Sequence, residues 1–292
     1  MKSRPFAYHR PSSIVEALVM LDELDNPKII AGGQTLVAML NLRVSEIDNL
    51  VDLGELGELK KINIVDGYIE VGAMVTQTEL ADYEVLEKEL PILKFALSHV
   101  GHVQTRNRGT IGGSLCHLDP SAELPLLAIA LGAEMIVRAP SESRTISAED
   151  FMEDMLTPSI EENEILTNIR IPIKTWDGWG FNEYARRHGD FAVVATACFV
   201  NCNEQNVIEE IVLAAGGLCE VPFRLKKLEN QIVGHNFYEL NLDELILKAL
   251  NFNALDDPMV PAWYRKHIAC EGIKNAITQA CEVSLLSGSI NG

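Results

Sequence analysis

Two glycine pairs, Ala31-Gly32-Gly33-Gln34-Thr35 and Thr110-Ile111-Gly112-Gly113-Ser114, are the segments best suited to holding a ligand. A residue without Cβ lets the backbone approach an anion closely and aim its N–H groups at it. Hydroxyl donors flank both pairs, Thr35 in the first and Thr110 and Ser114 in the second. The first pair leaves a short apolar run and opens a segment of helical composition, so a helix N-terminus would add positive partial charge facing the anion. Taken singly, a Gly-Gly pair is more often no more than a tight strand-to-helix turn. Two in one chain suit the two halves of a pyrophosphate cradle. Neither matches G-x-G-x-x-G or G-x-x-x-x-G-K-[ST], which disfavours an ordinary dinucleotide fold and a P-loop.

Other chemistry-bearing residues are less specific. His99 and His102 stand three apart, and His117 lies near Asp119 and Glu123. They lack the fixed helical spacing of a metal site, so no metal is expected, and His117 reads as a polar wall of the same cleft. Arg186-Arg187-His188-Gly189-Asp190-Phe191-Ala192 joins a basic pair, a turn and an aromatic ahead of an apolar strand; a solvated turn with Arg–Asp pairing accounts for it as well as a site does. The six cysteines are scattered, with Cys198 and Cys202 the nearest pair. They form neither a disulfide framework nor a ligand set and are expected to be buried core thiols.

The elements that must position these residues follow from periodicity. Ser13-Ile14-Val15-Glu16 has capping-box spacing and starts a helix to about Asp25. Lys28–Ala31 and Leu50–Leu53 read as strands around a helix from Thr35 to Asn41, and Ile62–Val65 and Tyr68–Gly72 form a hairpin over Asp66-Gly67. Helices are expected at 76–80, 90–100 and 124–131, strands at 134–138 and 165–172, and a linker at 174–178. Strands at 191–200 and 207–215 and helices at 242–250 and about 264–286 complete the chain. A chain of 292 residues, 47% hydrophobic and 23% charged, can bury a core for two or three such domains. Its formal charge of −18 opposes binding to nucleic acid or anionic lipid, and no apolar run approaches the roughly 20 residues that span a bilayer, so a cytoplasmic location is expected.

The glycine segments, extended to Gly109-Thr110-Ile111-Gly112-Gly113-Ser114, occur with Arg187-His188-Gly189-Asp190-Phe191-Ala192 in the order and spacing of one family. Phe6–Pro11, Val51–Leu53, Ile69–Ala73, Asp119-Pro120, Glu123–Pro125 and Ile169–Pro172 extend the match over nearly the whole chain. The sequence resembles the medium, flavin-binding subunits of the xanthine dehydrogenase and carbon monoxide dehydrogenase molybdenum hydroxylases.

That resemblance implies an α+β protein with a vanillyl-alcohol-oxidase (PCMH)-type FAD domain in two subdomains, 1–56 and 57–174. A C-terminal α+β domain of the CO dehydrogenase flavoprotein type would occupy 175–292. It implies that Ile30, Ala31, Gly32, Gly33, Gln34, Thr35 and Leu36 line the FAD diphosphate and ribityl chain and that Thr110, Ile111, Gly112, Gly113 and Ser114 meet it from the second subdomain. Ser114 stands where relatives often carry Asn, which removes one amide donor. Val100 would pack on the adenine side, Leu166 would offer a backbone contact to adenine, and Glu123 would lie near FAD hydroxyls. Phe191 replaces a Tyr against the isoalloxazine, with Arg187 and Asp190 in the same motif; Ala185 replaces a Lys, a charge that Arg186 or Arg187 would supply. No catalytic acid or base is implied, because the flavin carries the chemistry.

In such complexes substrate is hydroxylated at a molybdenum cofactor on a large subunit, and electrons cross two [2Fe-2S] clusters on a small subunit. This chain would pass them through FAD to an external acceptor, in a dimer of heterotrimers (a heterohexamer). The scattered cysteines fit that division, since an iron–sulfur centre needs clustered thiolates. Two other readings stand beside it: a stand-alone FAD oxidoreductase of the same fold, and a non-catalytic assembly module that keeps the glycine turns for packing.

Overall fold

In the computed structural model, which describes residues 2–288 with side chains to 285, three short strands form a parallel sheet near the N-terminus. They are β1 (Ala7–His9), β2 (Pro27–Ile30) and β3 (Asn49–Asp52), in the order β1-β3-β2. The helix Ile14–Glu23 begins as its sequence requires: Ser13 Oγ accepts the Glu16 N–H. The box is only half closed, because the Glu16 carboxylate turns to the N–H and Oγ of Ser12. Ile14, Ala17, Leu18 and Leu21 recur on one face and bury against Val51, Leu53 and Leu56. Each fully buried leucine there contributes about 1.5–3 kcal/mol.

A second, antiparallel sheet contains β4 (Ile62–Val65), β5 (Tyr68–Gly72), β6 (Glu134–Arg138), β7 (Ser143–Ser147) and, after the small hairpin β8 (Met152–Asp154) and β9 (Thr157–Pro158), β10 (Ile165–Pro172). Its order is β4-β5-β10-β6-β7. Asp66 and Gly67 both take positive φ, 51° and 80°, the left-handed pair that a two-residue hairpin turn demands. β7 carries no apolar alternation and is absent from the sequence reading. These two sheets belong to one packed unit, which comprises the chain up to Tyr83, His102–Leu118 and Gly132–Ile173.

The other unit comprises Glu84–Gly101, Asp119–Leu131 and the chain from Lys174. Its sheet runs β11 (Gly178–Ala185), β12 (Ala192–Cys202), β13 (Ile208–Gly216) and β14 (Phe223–Arg224), in that order and antiparallel. One face packs the long helix Ala262–Gly288 with Lys226–Ile232 and Leu242–Ala249; the helices Pro91–Leu97 and Glu123–Leu131 pack in the same unit. Glu123–Leu131 is apolar nearly all round and buried over almost its whole length, which is why it joins this core rather than its chain neighbours.

The sequence reading places a linker at 174–178, but β11 already begins at Gly178. Its glycines hid it: Gly178 and Gly180 weaken strand propensity, yet they are what lets the last helix lie on the strand. A Cβ at Gly178 would stand 1.8 Å from the Ala280 carbonyl oxygen, and one at Gly180 2.0 Å from that of Ala276. The expected helix at 90–100 is shorter, with Val100 beyond its end, and Phe191 lies just outside β12. No described helix is long and apolar enough to cross a membrane.

Candidate functional site

Both glycine pairs lie in the first unit, and the backbone of the first meets the segment that leads into the second. β2 ends at Ile30, and a Cβ on Gly32 would fall 2.0 Å from the Arg108 carbonyl oxygen and 2.9 Å from Gly109 Cα. Gly33 takes φ +72°, a conformation that strains any residue with a side chain. The helix Leu36–Leu42 follows with Thr35 as its N-cap, but the Thr35 side chain makes no capping hydrogen bond. Among the described residues, the N–H groups of Gly32, Gly33 and Gln34 donate to no protein acceptor. Ile30 and Leu36 pack against a small apolar cluster of Leu40, Ile47 and Leu50, which anchors the turn at both ends.

The second pair is built differently. Thr110 caps the helix Ile111–His117, its Oγ1 accepting the Gly113 N–H at 3.0 Å. The Ile111 N–H donates to Val75 O at 3.0 Å, Gly112 N–H to Ala73 O at 2.9 Å and Ser114 N–H to Thr110 O at 3.1 Å. The N–H groups of this turn, expected to face a phosphate, are thus spent within the protein. Its glycines provide closeness instead. A Cβ on Gly112 would collide with Ala73 Cβ at 2.5 Å, and one on Gly113 would reach Ala31 Cβ at 3.4 Å.

His117 ends the same helix, partly exposed, and Leu166 is a buried member of β10. Beside Gly109 lies a group that no motif singles out: Gln77, 5% exposed, whose Oε1 has no hydrogen-bond partner among the described residues.

A diphosphate needs unspent N–H and O–H donors on backbone that can approach it closely. The first turn, with Thr35 Oγ1 free of capping duty and Gly32 and Gly33 free of Cβ, meets that need, so the residues present fit the diphosphate of an FAD.

The remaining expected residues are on the second unit. Val100 is partly buried, while Arg187 and Asp190 are exposed and close their turn through Asp190 N–H donating to Arg187 O at 3.1 Å. No Arg187–Asp190 ion pair forms among the described residues, so backbone geometry and Gly189 at φ +84° make this turn. Phe191 is 67% exposed.

Glu123 belongs to a cluster that the sequence did not disclose. Trp179, Phe181 and Glu183 share one pleat of β11, and Phe95 and His99 pack on that pleat, with ring centroids 5.7 Å from Phe95 to Trp179 and 5.4 Å from His99 to Phe181. The Glu183 side chain is 4% exposed, its Oε2 has no partner among the described residues, and its Oε1 lies 3.9 Å from His99 Nδ1. Burial raises Glu183 to about 7. Burial, then the charges of Glu183 and Asp119, raise Glu123 to about 8, whereas burial and His188 lower His99. Burial thus favours the protonated form of both carboxyl groups and the uncharged form of the imidazole, which weakens any ion pairing of His99 with Glu183. Once β11 is recognised, the alternation Trp179-x-Phe181-x-Glu183 is the signal that would have found it.

The cysteine expectation needs correction. Cys198 and Cys281 are buried, but Cys116, Cys202, Cys219 and Cys270 are partly exposed.

Comparison with known proteins accords with this geometry. Residues 4–174 match the FAD binding domain in molybdopterin dehydrogenase, and residues 179–280 match the CO dehydrogenase flavoprotein C-terminal domain. The chain is similar to caffeine dehydrogenase subunit beta of Pseudomonas sp. (strain CBB1), 35% identical over 80% of each chain. It is also similar to the glyceraldehyde dehydrogenase medium chain of Sulfolobus acidocaldarius, 31% identical over 90% of this chain and 94% of that one. In structure it superposes on a chain of quinoline 2-oxidoreductase from Pseudomonas putida 86 with a TM-score of 0.93 and 33% identity, covering 97% of this chain and 99% of that one. With the paired turns and both domain matches in place, the chain belongs to the family of FAD-binding medium subunits of molybdenum hydroxylases related to carbon monoxide dehydrogenase.

Proposed function

We propose that this chain is the electron exit of a three-component molybdenum hydroxylase. It receives electrons from two [2Fe-2S] clusters on a small partner subunit and releases them to an external acceptor through its FAD, while a large subunit with the molybdenum cofactor hydroxylates the substrate. The observation that carries the reading is the close approach of Gly32 to the Arg108–Gly109 backbone, beside a loop whose unspent N–H groups suit a diphosphate. Relatives named for caffeine and for glyceraldehyde share this family, which fits a substrate chosen on another subunit. A dimer of heterotrimers, a cytoplasmic location and the divisions 1–56, 57–174 and 175–292 complete the proposal; the separate sheets of β1–β3 and of β4–β7 with β10 support the first division.

Bound FAD supplies the redox chemistry, taking electrons singly or in pairs. The chain's residues bind and orient it. Gly32, Gly33 and Gln34 N–H groups and Thr35 Oγ1 hold the diphosphate; Ile30, Ala31 and Leu36 keep that loop in place. Thr110 to Ser114 fix the loop's backing, His117 adds a polar wall, and Leu166 offers backbone to the adenine.

The test is to reconstitute the purified chain with FAD and with FMN, follow flavin fluorescence, and identify released cofactor by mass. Stoichiometric, non-covalent FAD and much weaker FMN are expected, followed by flavin reduction when a chemically reduced [2Fe-2S] partner is added. Absence of flavin after reconstitution would overturn the reading, and direct reduction by a small organic substrate without partners would favour a stand-alone oxidoreductase.

A further inference from the structure

Three cysteines of the second unit have no part in the proposed function and converge on one point. The last helix crosses β11 at Gly178, where the missing Cβ would lie 1.8 Å from Ala280 O and 2.9 Å from the Ser284 backbone nitrogen. The helical turn 280–284, which carries Cys281, therefore sits directly over Gly178. In the next strand Val200 pairs with Gly178, and the Cys202 N–H donates to the Asp177 carboxylate at 2.9 Å. Cys198, Val200 and Cys202 follow one another at alternate positions of β12, and Cys198 and Val200 share the buried cluster of this helix with Cys281, against which Cys202 packs. Cys281 and Ser284, one helical turn apart on the helix packed against this strand, are the side chains beside the Cys202 thiol. Cys202 is partly exposed; Cys281 is buried at 3% exposure.

We infer that Cys202 is an oxidisable site for hydroperoxides, with Cys281 as the thiol that resolves it into a disulfide joining the end of β12 to the last helix. The Cys202 thiolate attacks the peroxide: an S–O bond forms, the O–O bond breaks, sulfur loses two electrons and the peroxide leaves as hydroxide or alkoxide. Cys281 sulfur then attacks the sulfenic sulfur, the S–S bond forms, the S–O bond breaks, and the thiol proton leaves with the hydroxyl as water. The oxidant is the hydroperoxide; no other co-reactant is needed.

The microenvironments sort the thiols in the same sense. Hydrogen bonds from Cys281 and Ser284 bring Cys202 down to about 7 against the effect of burial. The bond to Cys202, then burial, keeps the Cys281 proton in place. Burial and neighbouring acids raise Cys219 and Cys270, and burial pushes Cys116 up to about 12. Cys198 is fully buried and raised well above its ordinary value. The site is independent of the flavin reading.

The test treats the full chain with one equivalent of hydrogen peroxide at pH 7.5, alkylates under denaturing conditions and maps the peptides. A Cys202–Cys281 linked peptide, the loss of two alkylatable thiols and reversal by dithiothreitol are expected. Before oxidation, iodoacetamide should label Cys202 about tenfold faster than Cys219 or Cys270, the advantage of its larger thiolate fraction after allowing for weaker nucleophilicity. In Cys281→Ala, dimedone should trap a sulfenic acid at Cys202. Oxidation first at Cys116, Cys219 or Cys270, a link through Cys198, or a Cys202 sulfenic acid that never closes on Cys281 in the wild-type chain would each overturn the inference.

Discussion

At the residue scale, the two threonines at the glycine turns look alike in sequence and do different work. Thr110 Oγ1 is committed to its helix, so Thr110→Val should lower unfolding free energy by about 1 kcal/mol, the usual cost of a lost N-cap, read from a urea melt. Thr35 caps nothing; Thr35→Val should leave the melt within about 0.5 kcal/mol and weaken FAD about five- to tenfold, the worth of one hydrogen bond. Gly32→Ala forces the turns apart against the Arg108 carbonyl and should weaken FAD about tenfold to a hundredfold in a fluorescence titration. The carboxyl cluster predicts a pH dependence. Glu183 and Glu123, at about 7 and about 8 when folded, ordinarily titrate at 4.5. Between 4.5 and those values the folded chain keeps protons that the unfolded chain releases, so the contribution of these two groups is full below 4.5, falls across this window and levels above it. Glu183→Gln should flatten that fall and leave the FAD-free chain about 1–2 kcal/mol more stable than wild type at pH 8, after allowance for solvent screening. A wild-type melting temperature that rises from pH 5 to pH 8 would contradict it.

At the element scale, what decides the second unit is how closely one helix can approach one strand. β11 reads poorly as a strand because of Gly178 and Gly180, and those positions are where the last helix touches its backbone. Gly178→Ala should cost about 3 kcal/mol or more, since neither the strand nor the helix backbone can yield cheaply. Gly57→Ala is the control: an added Cβ there meets nothing within 4 Å, and its effect should stay within about 0.5 kcal/mol. The contact also sets the pleat of β11, and with it the burial of Glu183. Helices such as Ile14–Glu23 and the Asp66-Gly67 hairpin were legible beforehand because apolar period and turn chemistry are local properties. β7 and β11 were not, because the first has no apolar alternation and the second owes its place to a helix that follows it by some eighty residues.

At the scale of the molecule, 42 acidic against 24 basic residues leave a net charge of −18 whose self-repulsion the fold must bear. Exposed pairs such as Arg4–Glu46 and Lys248–Glu244 offset little of it. Raising NaCl from 20 mM to 300 mM at pH 8 should therefore raise the melting temperature by several degrees in a thermal scan, because a shorter screening length weakens the repulsion; a fall would show that ion pairs dominate. The sequence by itself determined the α+β class, the acidic character, the two glycine turns and the family, since each is carried by contiguous residues whose meaning does not depend on distant neighbours. Tertiary structure alone decided which turn keeps free N–H groups. It also decided that Glu123 and Glu183 share a buried cluster and that Cys202 packs against the core that holds Cys281. Those properties arise where segments far apart in the chain pack together, and burial, not residue type, sets which donors remain unspent and which protons are held.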